Sequence, residues 1–241
     1  MIWALAFTIL LKLLGGSSPF IVPKLDNYVK KYVVDDSRKK EVTDMLKVAK
    51  KERKTTLKKD KKLLKELYNI SESRTSTQAD FDRLYEDILN SDTRSQNANI
   101  KVNQESQKLI TSDEWASIMT DVAKNLEKTD KKRTKSLNKV EKKFNKWQSK
   151  INKTIIDTDK RKKAVEAVEE LKIIYLKNYR LIQKKMMNKN SVMYKYNASD
   201  TEIMDLQNNF LQLVKEVYDI NTRTHFKLVE LSTPEEWKKI K

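Results

Sequence analysis

The sequence predicts an all-α protein built from elongated antiparallel helical hairpins that pack as a coiled-coil bundle. The chain has 241 residues but only two glycines and three prolines. Positions 24–233 contain neither residue, although tight turns between strands depend on both. Hydrophobic residues make up 38% of the chain and charged residues 35%, which is typical of long helices with a narrow apolar stripe. Disorder is the alternative for so charged a chain, and the helical spacing of its apolar residues decides against it.

A motif near residue 110 recurs at the C-terminus and predicts a tandem duplication. Segments 109–118 and 231–240 share the pattern L-x-T-x-[DE]-E-W-x-x-I at an offset of 122 residues. Apolar positions of segment 81–89 recur at the same offset, and segment 36–42 recurs at an offset of 123. Internal repeats of this kind reveal a repeated structural unit. We therefore divide the chain into an N-terminal segment at 1–22, a first helical hairpin unit at 23–122 and a second unit at 123–241.

Each unit is predicted to consist of a long helix, a polar break, a second helix and a short capped helix. In the second unit, Leu137, Val140, Phe144, Trp147 and Ile151 follow heptad spacing, which requires a partner helix. A second such stripe runs from Ile203 to Ile220. Helices joined by short breaks fold back antiparallel. The predicted long helices are Lys24–Tyr68 and Ser112–Met187, the breaks are 69–78 and 188–199, and the second helices are Ala79–Ile110 and Asp200–Leu231.

The two copies of the motif each predict a capped helix start followed by a tryptophan. The Thr side chain accepts from the amide three residues on, and the Glu returns a bond to the Thr amide. Trp115 and Trp237 then lie on the first turn. Each can lock the corner of its hairpin or serve as an exposed anchor for a partner, because tryptophan is enriched in binding hot spots. The two capping boxes are Thr111 with Glu114 and Thr233 with Glu236.

The apolar segment at 1–22 allows three interpretations. Residues 2–14 form an apolar stretch of the length found in secretory signals, and small residues follow it, although no basic residue precedes it. An uncleaved membrane anchor or interfacial helix is the second interpretation, with Lys12 reaching the interface. A buried core helix is the third. Thirteen helical residues span about 20 Å, short of the roughly 30 Å of a bilayer core.

Positive charge is concentrated in the second unit. The chain carries a net charge of +17, and residues 124–163 hold 16 basic against 5 acidic residues. Such a surface attracts acidic proteins, anionic lipids or phosphates, although charge runs also serve simply to solvate helix faces. We expect a protein partner or client, and both an anionic membrane surface and self-association remain open. The candidate partner-binding residues are Trp115, Trp147, Trp237, Lys131, Lys132, Arg133, Arg161, Lys162 and Lys163.

The residues of most catalytic sites are missing from the sequence. It has no Cys and a single histidine, His225, which we expect on a helix surface. Zinc-thiolate, di-iron and HExxH sites therefore lack ligands, and a body without glycine has no phosphate-binding loop. We expect no cofactor, no metal and no enzymatic activity. Aromatic residues lie on the apolar stripe and are not interleaved with the basic residues, which disfavours nucleic-acid binding.

The L-x-T-x-[DE]-E-W turn resembles the L-T-x-x-Q motif of Spy/CpxP-like periplasmic proteins, which are small, basic and all-helical. The likeness covers about ten residues per unit, and here Thr is not adjacent to Leu. The resemblance implies an ATP-independent chaperone or envelope-stress sensor in the periplasm or at the membrane of the bacterial envelope. A structural coiled-coil subunit of a membrane-associated complex is the alternative.

Overall fold

The computed structural model describes residues 20–241, and these residues form seven α-helices and one 3-10 helix without any strand. The predicted all-α class is confirmed. The 3-10 helix Val192–Tyr194 lies in the connection between the fifth and sixth α-helices. In chain order the α-helices are α1 (Leu25–Tyr32), α2 (Asp36–Glu72), α3 (Gln78–Leu109), α4 (Ser112–Thr154), α5 (Thr158–Met186), α6 (Asp200–Leu231) and α7 (Pro234–Ile240).

Two antiparallel hairpins form the body of the molecule. Helix α2 pairs with α3, and α5 pairs with α6. Helix α4 joins the hairpins: α1 packs against it as well as against α2, and both α5 and α7 pack against it in turn. The predicted unit boundary at 122/123 falls inside α4, which runs through it without interruption.

Both predicted long helices are divided in two, so the prediction of one continuous helix in each unit was wrong. The chain becomes extended at Val33 and again at Ile155, where ψ is 118° and 117°. Asp35 and Asp157 then start the next helices by accepting backbone N–H groups with their side chains. The breaks contain neither Gly nor Pro, and β-branched residues followed by an Asp cap are sufficient to produce them.

The heptad stripe predicted on the second long helix lies in the core. Leu137, Val140, Phe144, Trp147 and Ile151 are all at most 6% exposed, and they belong to one apolar core that includes residues of both hairpins. The helix therefore has the partner that its spacing required, and the partner is α5. Burial of this stripe is the main source of stability for helices that are otherwise highly charged.

Helix boundaries recur at one constant offset. Helices α3 and α6 begin at Gln78 and Asp200 and end at Leu109 and Leu231, each pair 122 residues apart. The N-caps Asp35 and Asp157 are also 122 apart, so the predicted change to an offset of 123 in this region is not seen. The origin of the two units by duplication stays a prediction.

The predicted N-terminal segment lies outside the described residues except for its last three positions. Phe20 and Val22 are 0% and 2% exposed, and the ring of Phe20 meets that of Phe210 edge to face. The three interpretations of residues 1–19 stay predictions. Within residues 20–241, no helix is both long and apolar enough to cross a bilayer.

Candidate functional site

The three tryptophans predicted as binding residues are all buried, and two of them, Trp115 and Trp237, lie at the corners of the hairpins. Trp115, Trp147 and Trp237 are each 2% exposed. The indole N–H of Trp115 donates to the carbonyl of Tyr194 at 3.0 Å, and that of Trp237 donates to the carbonyl of Glu72 at 2.9 Å. These contacts confirm that the tryptophans lock the corners, and they leave no exposed aromatic anchor at these positions. The third, Trp147, donates to the carbonyl of Ile240 at 2.9 Å.

Each capping glutamate also binds the backbone of the extended segment that precedes α2 or α5. Glu114 accepts from the backbone N–H of Thr111 at 2.9 Å and of Val34 at 3.0 Å. Arg38 adds a bidentate contact at 2.9 and 3.1 Å. Burial raises the pKa of Glu114, but these donors outweigh it and lower the pKa to about 2. The carboxylate is thus held ionised at the centre of the first corner.

The second corner repeats this arrangement without the arginine. Glu236 accepts from the backbone N–H groups of Thr233 and Ile156, both at 2.8 Å. These bonds lower the pKa of Glu236 below its ordinary value. Arg161 instead donates to the carbonyl of Ile155 at 3.3 Å, at the end of α4. Arg161 is therefore half-buried and part of the fold, although it was predicted as a partner-binding residue.

Contacts between the two units are reciprocal. The Tyr196 hydroxyl donates to the carbonyl of Ile110 at 3.0 Å, and Arg74 donates to the carbonyl of Ser232 at 2.9 Å. Tyr196 lies 122 residues after Arg74, and Ser232 lies 122 residues after Ile110. Tyr194 and Glu72, whose carbonyls accept from the two corner tryptophans, are also 122 residues apart. Each unit therefore closes the polar break of the other.

His225 is a core residue, and its predicted position on a helix surface was wrong. Its ring is 0% exposed and lies against Phe81, Phe226 and Trp237, with centroid distances of 4.9 to 5.3 Å. Burial lowers the pKa of His225 to about 4, and a hydrogen bond with the backbone of Ser71 acts in the opposite direction. The imidazole is therefore neutral at pH 7. The expectation failed because the apolar stripe of α6 is wide enough at its C-terminal end to include this position.

The predicted basic residues lie in two separate places. Lys131 and Lys132 are exposed in the middle of α4, and Arg133 beside them donates to the carbonyl of Met187 at 3.4 Å. Lys162 and Lys163 are exposed on the first turns of α5. Because α5 packs back along α4, the two groups are separated by about 30 Å of helix. They therefore do not form one surface.

A groove between α4 and α5 contains Lys131 and several cations that the sequence alone did not single out. Its volume is about 680 Å³, and Leu126 and Met187, both 6% exposed, are its most buried lining residues. We call it the α4–α5 groove. The sequence analysis missed these residues because it did not predict the break before α5. At this break the chain reverses, and α5 comes to lie beside α4. The exposed cations along it are Lys131, Arg180, Lys184 and Lys189.

The cations of the α4–α5 groove are not neutralised by the described part of the chain. No ion pair joins any of the four to a carboxylate within residues 20–241. The groove also contains Glu127 and Asp130, and Asp130 accepts a hydrogen bond from Gln183 across it. The net charge of the groove is therefore positive, and its floor is apolar.

From position 20 to the C-terminus, no three His, Asp or Glu side chains are grouped so that they could hold a metal ion. No protein-family model matches the chain, and comparisons with curated proteins and with solved structures find no match. The resemblance to Spy/CpxP-like proteins stays a prediction.

Proposed function

We propose that this chain is a non-enzymatic helical binding protein whose α4–α5 groove receives an acidic, partly apolar segment of a protein partner. The observation that carries the proposal is a row of cations, none of which has an ion-pair partner within residues 20–241, beside an apolar floor. A cation that is exposed and unpaired gains most from a carboxylate that arrives with the partner. The apolar floor supplies burial for the other face of the same segment.

The length of the groove favours a helical partner segment. On α4 the lining extends from Ala123 to Thr134, which is about 17 Å of helix. A partner helix of about three turns covers this distance and presents anchors at i, i+3, i+4 and i+7. Acidic residues on one side of its apolar stripe meet Lys131, and those on the other side meet Lys184. As part of the proposal, the protein works in the bacterial periplasm or tethered at the membrane.

Charge-reversal variants test the groove directly. The variant K131E/K184E is compared with K162E/K163E, which makes the same change in net charge on exposed lysines outside the groove. Binding of a fluorescent acidic amphipathic helical peptide is measured by anisotropy at several salt concentrations. We expect binding to weaken at least about tenfold in the first variant and about twofold or less in the control. Equal effects in both variants contradict the groove as the site.

The nature of the partner is tested in the same experiment. A peptide with the same charge but with its apolar residues replaced by Ser should bind more weakly, because it leaves the floor of the groove uncovered. Vesicles with anionic lipid form a second arm. Preferential loss of vesicle binding in K131E/K184E, with peptide binding unchanged, favours a membrane surface and overturns the protein partner.

The chaperone-like form of the proposal has its own test. Purified protein at low salt should reduce light scattering by an unfolded acidic client, and K131E/K184E should do so less well. If the protein leaves aggregation of the client unchanged, it binds partners without chaperone activity.

A structural coiled-coil subunit is the second candidate function. Val34 and Ile156, at equivalent places in the two breaks, are 83% and 84% exposed, and such side chains are suited to contact another subunit. Cross-linking in membrane fractions should then capture a stable complex that V34S/I156S loses. A monomer in both forms contradicts this candidate.

A further inference from the structure

The middle of α2 is strongly basic and packs only shallowly on the rest of the described chain. Segment 47–65 contains ten basic and two acidic residues. Helix α2 packs against α3, and near its start also against α1. Between Ala49 and Leu67 none of its residues is buried, so most of its circumference in this part faces solvent.

Six lysines of this part of α2 form a single row. They are spaced 4, 3, 4, 3 and 4 residues apart, which places them on one face of a helix. All six are exposed, and the row is about 27 Å long. We call it the α2 lysine row, and its members are Lys47, Lys51, Lys54, Lys58, Lys61 and Lys65.

Few carboxylates lie beside the α2 lysine row. Asp44 pairs with Lys47 at 2.7 Å, and no ion pair joins the other five lysines to a carboxylate of the described chain. Asp60 and Glu66 both bond to side chains of α3. Glu52 is exposed, but it lies roughly 140° around the helix from the centre of the row. The row therefore keeps most of its positive charge.

The second hairpin uses the equivalent face differently. At an offset of 122, Leu176 and Met187 of α5 take the places of Lys54 and Lys65, and both are only 6% exposed. Met187 also lines the α4–α5 groove. Helix α5 thus turns this face towards α4, whereas α2 presents it to solvent with lysines in place of apolar residues. The row is therefore a specific feature of the first hairpin.

We propose that the α2 lysine row docks the protein on an anionic membrane surface. A layer of anionic headgroups attracts lysines without a fork of donors or an apolar pocket. An acidic helix of a protein gains less here, because the row has no apolar side chain against which it could be buried. The row also has no arginine or aromatic side chain with which to contact or stack on bases. This docking is independent of the α4–α5 groove.

Sedimentation of the full chain with vesicles tests the proposal. Vesicles of phosphatidylglycerol and phosphatidylcholine are compared with vesicles of phosphatidylcholine alone, and the parent should prefer the anionic vesicles by more than about 100-fold at about 0.1 M salt. Each lysine near an anionic surface strengthens binding about fivefold. The variant K51Q/K58Q/K65Q should therefore bind the anionic vesicles about 100-fold more weakly. Binding by the parent should also weaken as salt is raised, because salt screens exposed charges.

A matched control removes the same charge from another helix. The variant K128Q/K135Q/K142Q changes three exposed lysines of α4 at the same spacing, outside the α4–α5 groove, and should weaken vesicle binding about threefold or less. Glutamine is a good helix former, so both variants should have the circular dichroism and melting temperature of the parent. If K51Q/K58Q/K65Q loses helicity, K54Q/K61Q decides instead, with an expected loss of about 25-fold.

Three results overturn the proposal: equal losses in the variants of α2 and α4, no preference for anionic vesicles, and binding that does not depend on salt. A DNA duplex of about 20 base pairs forms a second arm of the experiment. If K51Q/K58Q/K65Q loses affinity for the duplex and keeps its vesicle binding, the row serves nucleic acid and the membrane proposal is overturned.

Discussion

The two corner glutamates provide a direct comparison of how much an added arginine stabilises this fold. Glu114 and Glu236 make the same two backbone hydrogen bonds, and only Glu114 has a guanidinium as a third partner. The Glu114 side chain is 10% exposed and that of Arg38 is 31% exposed. We replace each glutamate with glutamine, which preserves its shape and removes its charge.

The expected magnitudes follow from these contacts. In each corner, glutamine loses the carboxylate that holds two backbone N–H groups, and a hydrogen bond to a charged group is worth about 1.5–3 kcal/mol. Since glutamine keeps one acceptor, E236Q should lower the free energy of unfolding by about 2 kcal/mol. In E114Q a partly buried Arg38 also loses its counter-charge, and we expect a total of about 3–4 kcal/mol.

Urea unfolding at pH 7 measures both values, and a double-mutant cycle isolates the arginine. The coupling between E114Q and R38M should be about 1–2 kcal/mol. The matched cycle of E236Q with R161M should give a coupling near zero, because Arg161 donates to backbone carbonyls and Thr158 instead. The reasoning is refuted if E114Q costs no more than E236Q, or if the two cycles give equal coupling.

Four further predictions concern pH and packing. The pKa of Glu114 is about 2 in the folded state, so the unfolded chain takes up a proton first as pH falls. The free energy of unfolding should therefore decrease between pH 4.5 and pH 2, and this decrease should be smaller in E114Q. Burial raises the pKa of Asp92 to about 7, so the folded state holds a proton that the unfolded state releases, and the free energy of unfolding should fall as pH rises from about 4 to 7. At pH 8, D92N should have a free energy of unfolding about 1–2 kcal/mol higher than that of the parent in urea titration. No gain would contradict this sign. W115F and W237F should each cost about 2 kcal/mol by urea unfolding, since each leaves a carbonyl of the other unit without its donor, and unequal losses would count against the reciprocal corners. F144A should cost about 3–5 kcal/mol by the same measurement through loss of a fully buried ring, and a loss below 1 kcal/mol would place this stripe outside the core.

The sequence was sufficient to predict the helices that have strong local signals. Helix α6 begins and ends where predicted, because Ser199 with Glu202 caps its start and an apolar stripe continues to Leu231. The breaks at Val33 and Ile155 were missed because helix-forming residues surround them and no Gly or Pro marks them. An Asp that caps a helix start resembles any other Asp of a charged helix until its backbone geometry is known.

The candidate site was less predictable because it depends on tertiary contacts. The tryptophans were identified, but whether they were buried depended on loops of the other unit, with acceptors at Glu72 and Tyr194. Lys131 was identified from a run of charge, whereas Arg180 and Lys184 join it only after α5 folds back along α4.

The reciprocal corners also affect how the chain folds during synthesis. The acceptor of Trp115 is Tyr194, which is 79 residues further along, and the donor to Glu72 is Trp237, which is 165 residues further along. The connection between α2 and α3 therefore leaves the ribosome without the Trp237 donor to Glu72, and this contact can form only after α7 has been made. Truncation of the final ten residues, which carry Thr233, Glu236 and Trp237, would thus expose the connection between α2 and α3 at the opposite end of the sequence.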